Sequence, residues 1–313
     1  MTVSWSTQLD GVLAGDQVVG VAAVTPARGV VIAPMTNFAV HDRQAGVVGV
    51  NSSVGASKKI ERMRRNPHVA VAFHSRDHST ADGMQYVLVQ GFATVSAPVP
   101  DFPATIGTRW DDKDGAPPSG LWGRWLRVYY TRIPIDIAVE RIMSWPDLRA
   151  SGEPELLGTP LPPPAASQAS PLGGTGTRID CARAARRARR LPHVLLGWVG
   201  EDGLPMVVPV LITGFDDVGI RLGTAGPVLP SGHRRAGLTA HSFSHHGLGN
   251  HGNHQRLHTG WLEVDSPHTA TYRPHTSAGF RMPPSTWLYR LAVGFAARRG
   301  ANDYTEVALG ATH

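Results

Sequence analysis

A β-hairpin pattern occurs twice in this chain, on either side of a proline-rich break, and that recurrence limits the possible folds more than any other feature. In the first half, VVGVAAVTPARGVVIAPM runs from Val18 to Met35; in the second, VLLGWVGEDGLPMVVPV runs from Val194 to Val210. Each reads as an apolar strand with an early glycine (Gly20, Gly197), a short polar turn, and a second apolar strand ending near a proline (Pro34, Pro209). Asp202–Gly203 is a strong hairpin signal, because both turn positions must accept positive φ. Further on, YVLVQGFATVSAP from Tyr86 and RLHTGWLEVDSP from Arg256 share glycine, aromatic, two residues, valine: Gly91–Phe92 to Val95 and Gly260–Trp261 to Val264. The proline-to-glycine spacing is 57 residues in one half and 51 in the other. Between the halves, Ser151–Gly176 holds six prolines and almost no aliphatic pattern. Pro162, Pro163 and Pro164 favour a stiff extended spacer there, and the glycine-rich end is flexible.

These features divide the chain into a domain over 1–150, a Pro/Gly-rich linker over 151–176 and a second, diverged domain over 177–313. Further strands are expected at Ala45–Asn51, His68–His74 and Arg132–Ile142, with Ile220–Thr224 and Arg235–His241 in the same places of the second half. One helix is expected at Ser57–Asn66, capped by Ser57, stopped by Pro67 and apolar along Ile60 and Met63. A second is expected at Asp180–Arg190. Short strands in such number are safest when the sheet closes, since bare edges invite aggregation. The expected fold class is therefore β-rich (α+β): two β-barrels with a few flanking helices.

The motif order now has a known counterpart. Asn51–Ser53, Ser57–Lys59, Arg65–Asn66–Pro67–His68–Val69 and Gly91–Phe92–Ala93–Thr94–Val95 follow one another as they do in the FMN-binding split-barrel superfamily, whose best-known branch is pyridoxamine 5′-phosphate oxidase. The chain resembles that superfamily over most of 15–145, and more distantly over 178–298. The resemblance implies two split β-barrels packed as a pseudo-dimer within one chain, with a cofactor held between them: FMN, the deazaflavin F420, or in some branches haem. Members are usually homodimers, so a fused pair would build the dimer within one chain, as a monomer or a further homodimer. It implies a flavin-dependent oxidoreductase passing hydride to or from a small organic substrate, with a non-catalytic flavin- or haem-binding protein as the alternative.

On the residues themselves, Ser52 and Ser53 end a strand, and Ser57, Lys58 and Lys59 open a helix whose free N–H groups favour an anion. Two of the chain's three lysines fall there. The flat ring is expected against Pro34, Met35, Thr36 and Asn37, with Asn51 beside the serine pair. The second strand, Ala33–Thr36, lacks the basic residues that the family often carries. In the second half Arg234 and Arg235 are the candidate phosphate contacts, Thr224–Ala225 stand for the serine pair, and the site looks degraded. No catalytic acid, base or nucleophile is assigned, because hydride chemistry resides in the cofactor.

Other features suit plainer roles. His241, His245, His246, His251, His254 and His258 crowd one Gly/Ser/Asn-rich stretch without a carboxylate or a helical frame, which reads as a surface loop, with a metal or haem site, or contact with a substrate near the cleft, as the alternatives. His275 reads as a turn residue or a substrate neighbour. Arg183, Arg186, Arg187 and Arg190 form one basic helix stripe, too short and too poor in aromatics for a nucleic-acid or membrane surface. Trp110, Trp122 and Trp125 mark an insert that staples the first half or covers the ring. A net charge of +6, one cysteine (Cys181) and the lack of a leader-like or membrane-length apolar run give the expectation of a soluble cytoplasmic protein.

Overall fold

The computed structural model describes residues 2–38, 40–76, 80–243 and 254–310, with side chains omitted at 113–114 and 303–310. Two antiparallel sheets of eight strands each dominate it. The first comprises β1 (Val18–Val24), β2 (Val30–Thr36), β3 (Val40–Asp42), β4 (Val47–Ser53), β5 (His68–Phe73), β6 (Tyr86–Val95), β7 (Arg132–Trp145) and β8 (Glu155–Gly158). The second comprises β9 (His193–Val199), β10 (Pro205–Pro209), β11 (Leu211–Phe215), β12 (Ile220–Gly223), β13 (Gly232–His241), β14 (His254–Ser266), β15 (Thr269–Pro274) and β16 (Ala278–Arg281). The first sheet runs β2-β1-β5-β6-β7-β4-β3, and the second β10-β9-β13-β14-β15-β12-β11. This is one strand order used twice, and it meets the expectation of two β-rich halves.

In the first sheet Val21 of β1, Met35 of β2, Val50 of β4, Val71 of β5, Val89 of β6 and Ile135 of β7 all enter a single core. One face of every long strand reaches the same interior, so the sheet curls around it. β1 is buried at every position because its other face is also covered. Ala22, Val24, Ala70, Ala72, Tyr86 and Leu88 pack with Leu195, Val199 and Val207 of the second half in a shared core. Alanine and glycine on that face allow close approach: a Cβ on Gly20 would meet Leu195 Cδ1 at 2.8 Å. Hydrogen bonds stitch the same seam, from Tyr86 Oη to the Val207 carbonyl (2.6 Å), Gln90 Nε2 to the Pro205 carbonyl (2.6 Å) and Thr239 Oγ1 to the Ile32 carbonyl (2.7 Å). Arg141 adds an ion pair with Asp202 across it. The centre of the seam is thus filled, and open space lies only at its margins.

The ladders fix which residues of the two halves correspond. Pro34 pairs with Gly20 and Gly20 with Ala72; Pro209 pairs with Leu195 and Leu195 with Thr239. Independently, Ala23 pairs with Val69 and Val69 with Gly91, while Trp198 pairs with Ala236 and Ala236 with Gly260. Both runs give one register, in which the proline and later glycine landmarks coincide. They also correct one sequence match: Gly20 corresponds to Leu195, two residues before Gly197. The same count makes His74 and His241 equivalent. Their Nε2 atoms lie 2.7 Å apart, so they meet on the approximate two-fold axis between the halves.

Helices cover the margins: α1 (Thr7–Gly15), α2 (Ser57–Arg65), α3 (Phe102–Ile106), α4 (Thr108–Asp114), α5 (Gly120–Tyr130), α6 (Cys181–Ala188) and α7 (Thr286–Gly310). Ser57 opens α2 but does not cap it; Ser53 instead accepts from the Gly55 N–H in a 3-10 turn over Val54–Ala56. α6 is capped by Asp180, which accepts from the Arg183 N–H. The tryptophan insert folds into α3–α5 as a staple. Trp110 is buried and stacked 4.5 Å from Phe38, and Trp125 lies edge-on to Phe295 of α7. The proline-rich segment is not free of structure, since β8 pairs with β7 and Pro162–Pro164 lie near Arg141 and Trp198. None of the described helices is long and apolar enough to cross a membrane.

Candidate functional site

At one margin of the seam, the ends of β2 and β4 and the start of α2 face a common space. A cleft of about 190 Å³ opens there, with Pro34, Met35 and Thr36 on one wall and Asn51, Ser52, Ser53 and Lys59 on another. Seven of the residues singled out from sequence therefore converge. The opposite wall comes from the second half and the C-terminal helix: Phe243, Phe280, Met282, Tyr289 and Val293. α7 reaches this place by packing on the Val54–Ala56 turn at very short range, where a Cβ on Gly300 would sit 2.0 Å from the Gly55 carbonyl oxygen.

Two cations face the cleft. Lys59 lies in the first turn of α2, and Arg132 opens β7 next to Ser53, its partner in the ladder. Burial, then the nearby Arg132 and Arg62 charges, lower the Lys59 amine to about 8. The Arg132 guanidinium lies 4.2 Å from the Tyr129 ring and 5.1 Å from that of Trp110, which holds it by cation–π contact. Among the described residues neither cation has a carboxylate in ion-pair range. Two buried polar atoms in the lining, Arg132 Nε and Asn51 Oδ1, also lack a hydrogen-bond partner. Buried like charges without a counter-ion are costly, and an anion in the cleft relieves that cost.

Other expected residues lie elsewhere. Asn37 is buried behind the wall, its Nδ2 donating to the Leu13 carbonyl (2.6 Å) and the Asp16 carbonyl (2.9 Å). Lys58 is exposed on α2, and Ser57 stands at the helix start outside the lining. Arg234 and Arg235 lie in β13, away from this cleft. Arg234 is buried and donates to the Pro230 and Ser231 carbonyls, and Arg235 stands 5.9 Å from the Trp261 ring. His275 is held by its backbone to Thr259 and by Nε2 at 3.5 Å from the Thr175 carbonyl. Sequence reasoning missed Arg132, Tyr129 and the whole far wall. An arginine two residues after the run VYY, at the start of a strand, was the only local signal for any of them.

Of the histidine-rich stretch, His245, His246 and His251 lie outside the described residues. His241 joins a second cluster at the axis, with His74 and His193. His74 Nδ1 donates to the Ala72 carbonyl (3.0 Å), and His241 Nδ1 accepts from the Phe243 N–H (3.2 Å). The 2.7 Å contact between their Nε2 atoms then assigns both as neutral, with His241 the donor. Burial is the main cause that pushes His74 down to about 3 and His241 well below the ordinary histidine range. No group of three His, Cys, Asp or Glu side chains among the described residues is arranged to hold a metal ion.

No protein-family model matches the chain, and no curated protein matches it in sequence. Solved structures resemble it one half at a time. A conserved hypothetical protein of Mycobacterium tuberculosis is 20% identical over 47% of this chain and 88% of its own, with a TM-score of 0.34. A putative pyridoxamine 5′-phosphate oxidase of Listeria innocua is 19% identical over 44% of this chain and 94% of its own, at 0.30. An F420 reductase is 19% identical over 42% and 94%, also at 0.30.

Proposed function

We propose that the cleft holds the phosphate and ring of a flavin-type cofactor, FMN or alternatively F420, and that the chain is an oxidoreductase acting on a small organic molecule. The carrying observation is the cation pair Lys59–Arg132, part-buried, without a carboxylate and flanked by Ser52 and Ser53. That donor set suits a phosphate, to which hydrogen bonds are charge-assisted and strong. Met35, Phe243, Phe280 and Tyr289 give the apolar and aromatic surface a planar ring needs, and the unmatched Asn51 Oδ1 offers it an acceptor.

When bound, such a cofactor supplies hydride transfer. The chain's own residues bind, orient and exclude water. Lys59 and Arg132 anchor the charged tail, the end of β2 backs the ring, and the far wall closes over it. Both walls come from one chain, so a monomer completes the cleft, and a homodimer would be an addition to it. No histidine, aspartate or glutamate among the described residues lines the cleft. That lining gives haem no imidazole ligand there among the described residues, and it suits a flavin whether the protein turns it over or only carries it.

Mixing the purified chain with FMN or F420 and following the visible spectrum tests the first reading. A spectral shift saturating at one equivalent, with affinity at least about tenfold weaker in Lys59→Gln, is expected for one of the two. Binding of neither at tens of micromolar contradicts it. A bound cofactor that no reductant or acceptor turns over selects the carrier.

A further inference from the structure

The two-fold relation predicts a second cleft at the opposite margin, and one exists. Val18 and His193 correspond, two residues before Gly20 and Leu195. Pro34, Met35 and Thr36 correspond to Pro209, Val210 and Leu211. Ile137 pairs with both Ala93 and Val48, as Tyr272 pairs with both Leu262 and Ile220, so Asn51 and Ser53 correspond to Gly223 and Ala225. His193, Pro209, Val210, Leu211, Gly223 and Ala225 all line one cavity of about 220 Å³. It is the mate of the first cleft, rebuilt with other chemistry.

The polar groups that suit the first cleft to a phosphate are lost from the lining. Thr36 has become Leu211, Asn51 has become Gly223 and Ser53 has become Ala225, while Ser52 has become Thr224, whose hydroxyl donates to the Gly226 carbonyl (2.8 Å) and lies outside the lining. The segment 224–231 replaces α2, and no lysine remains. Val194, Leu195 and Leu148 add apolar wall. The polar features left are His74 and His193 at the back and Arg149 at the mouth. His74 is fully engaged by Ala72 and His241, and His193 Nε2 lies 3.3 Å from Ser75 Oγ. The Arg149 guanidinium has no carboxylate within ion-pair range among the described residues. Nearby Asp147 turns its carboxylate to the backbone N–H groups of Arg149 and Ser151.

We propose that this second cleft binds a small planar apolar molecule bearing one carboxylate, with the rings between Leu211, Val210 and Leu148 and the carboxylate on Arg149. The cavity volume matches one or two fused rings. An apolar wall with a single cation at its rim recognises such an acid by burial plus one bidentate ion pair. A phosphorylated flavin finds there none of the lysine, serine and asparagine groups of the first cleft, so the chain has two unlike sites.

The probe is 2-naphthoate, followed by its fluorescence with the full-length chain. Saturable binding of one equivalent is expected. Arg149→Gln should weaken it about tenfold, the order of one charge-assisted hydrogen bond, and neutral 2-naphthamide should bind the native chain about tenfold more weakly for the same reason. Ala225→Trp, which fills the cleft, and Leu211→Glu, which sets a like charge in it, should abolish binding; both side chains point outward from the cores, so the fold is retained. Lys59→Gln, in the other cleft, should leave it unchanged. Absence of saturable binding, equal binding of the amide, or loss in Lys59→Gln with retention in Ala225→Trp would overturn the proposal. Cofactor binding is read separately in the visible spectrum, so either site can fail alone.

Discussion

Lys59 sits where its ammonium is weakened by burial and by two arginines, and that gives the first cleft a pH signature. Below about pH 8 the amine is protonated and attracts a phosphate; above it the charge is lost. Affinity for a phosphate-bearing ligand, which is mostly dianionic from about pH 7, should therefore fall above about pH 8, while Lys59→Arg should stay flat from about pH 7 to 9, since guanidinium does not titrate there. Lys59→Gln or Arg132→Gln should each cost about 1.5–3 kcal/mol of that binding. Titrations at pH 7 and 9 check both. A different residue carries stability: Asp16 is fully buried and pairs with Arg76 at 2.5 Å. Asp16→Ala leaves the guanidinium buried without its partner and should cost about 3–5 kcal/mol in denaturant unfolding. Pro34 to Thr36, Asn51 to Ser53 and Lys59 were legible because each lies at the end of a locally encoded strand or the start of a helix. Arg132, Phe243 and Tyr289 were not. They reach the cleft only through strand pairing and helix docking over long sequence separations, which no local pattern records. Asn37 looked like its neighbours in sequence, but it lies just past the end of β2 and its side chain turns inward to the Leu13 and Asp16 carbonyls at the end of α1.

At the scale of elements, the strands were the easiest to read, because apolar runs bounded by glycine and proline specify them. The shared register was nearly legible too: the proline and later glycine landmarks hold, while Gly20 and Gly197 mislead because both sit in apolar runs of similar length. α7 had no such signature, yet it supplies Tyr289 and Val293 to the cleft. Its seat depends on Gly300 lying against the backbone of Gly55. Gly300→Leu should lever the helix away, at a cost of about 1–3 kcal/mol by the overpacking rule. The expected result is weaker cofactor binding with the β-sheet signal in circular dichroism unchanged; unaltered binding would show that α7 does not form the wall.

Across the whole molecule, the two halves behave as one unit because their contact is a true core, with small residues, buried hydrogen bonds and a histidine pair on the axis. That pair makes the seam sensitive to acid. His74 is held neutral at about 3, whereas an unfolded histidine titrates near 6.5. Above about pH 6.5 neither state binds a proton and stability is unaffected. From there down to about pH 3 the unfolded chain takes up a proton that the folded chain refuses, and stability falls by about 1.4 kcal/mol per pH unit for this group alone. Denaturant unfolding at pH 7 and 5 should show the loss, and His74→Gln should show less of it.

The central claim is that the first cleft is a phosphate site with a ring platform beside it. Calorimetric titration of FMN against riboflavin, which keeps the ring and lacks the phosphate, tests this most directly. The account predicts one equivalent of FMN, at least tenfold weaker riboflavin, on the order of one lost charge-assisted contact, and a Lys59→Gln variant in which the difference shrinks. Equal affinity for the two ligands, or two equivalents of FMN per chain, would contradict it.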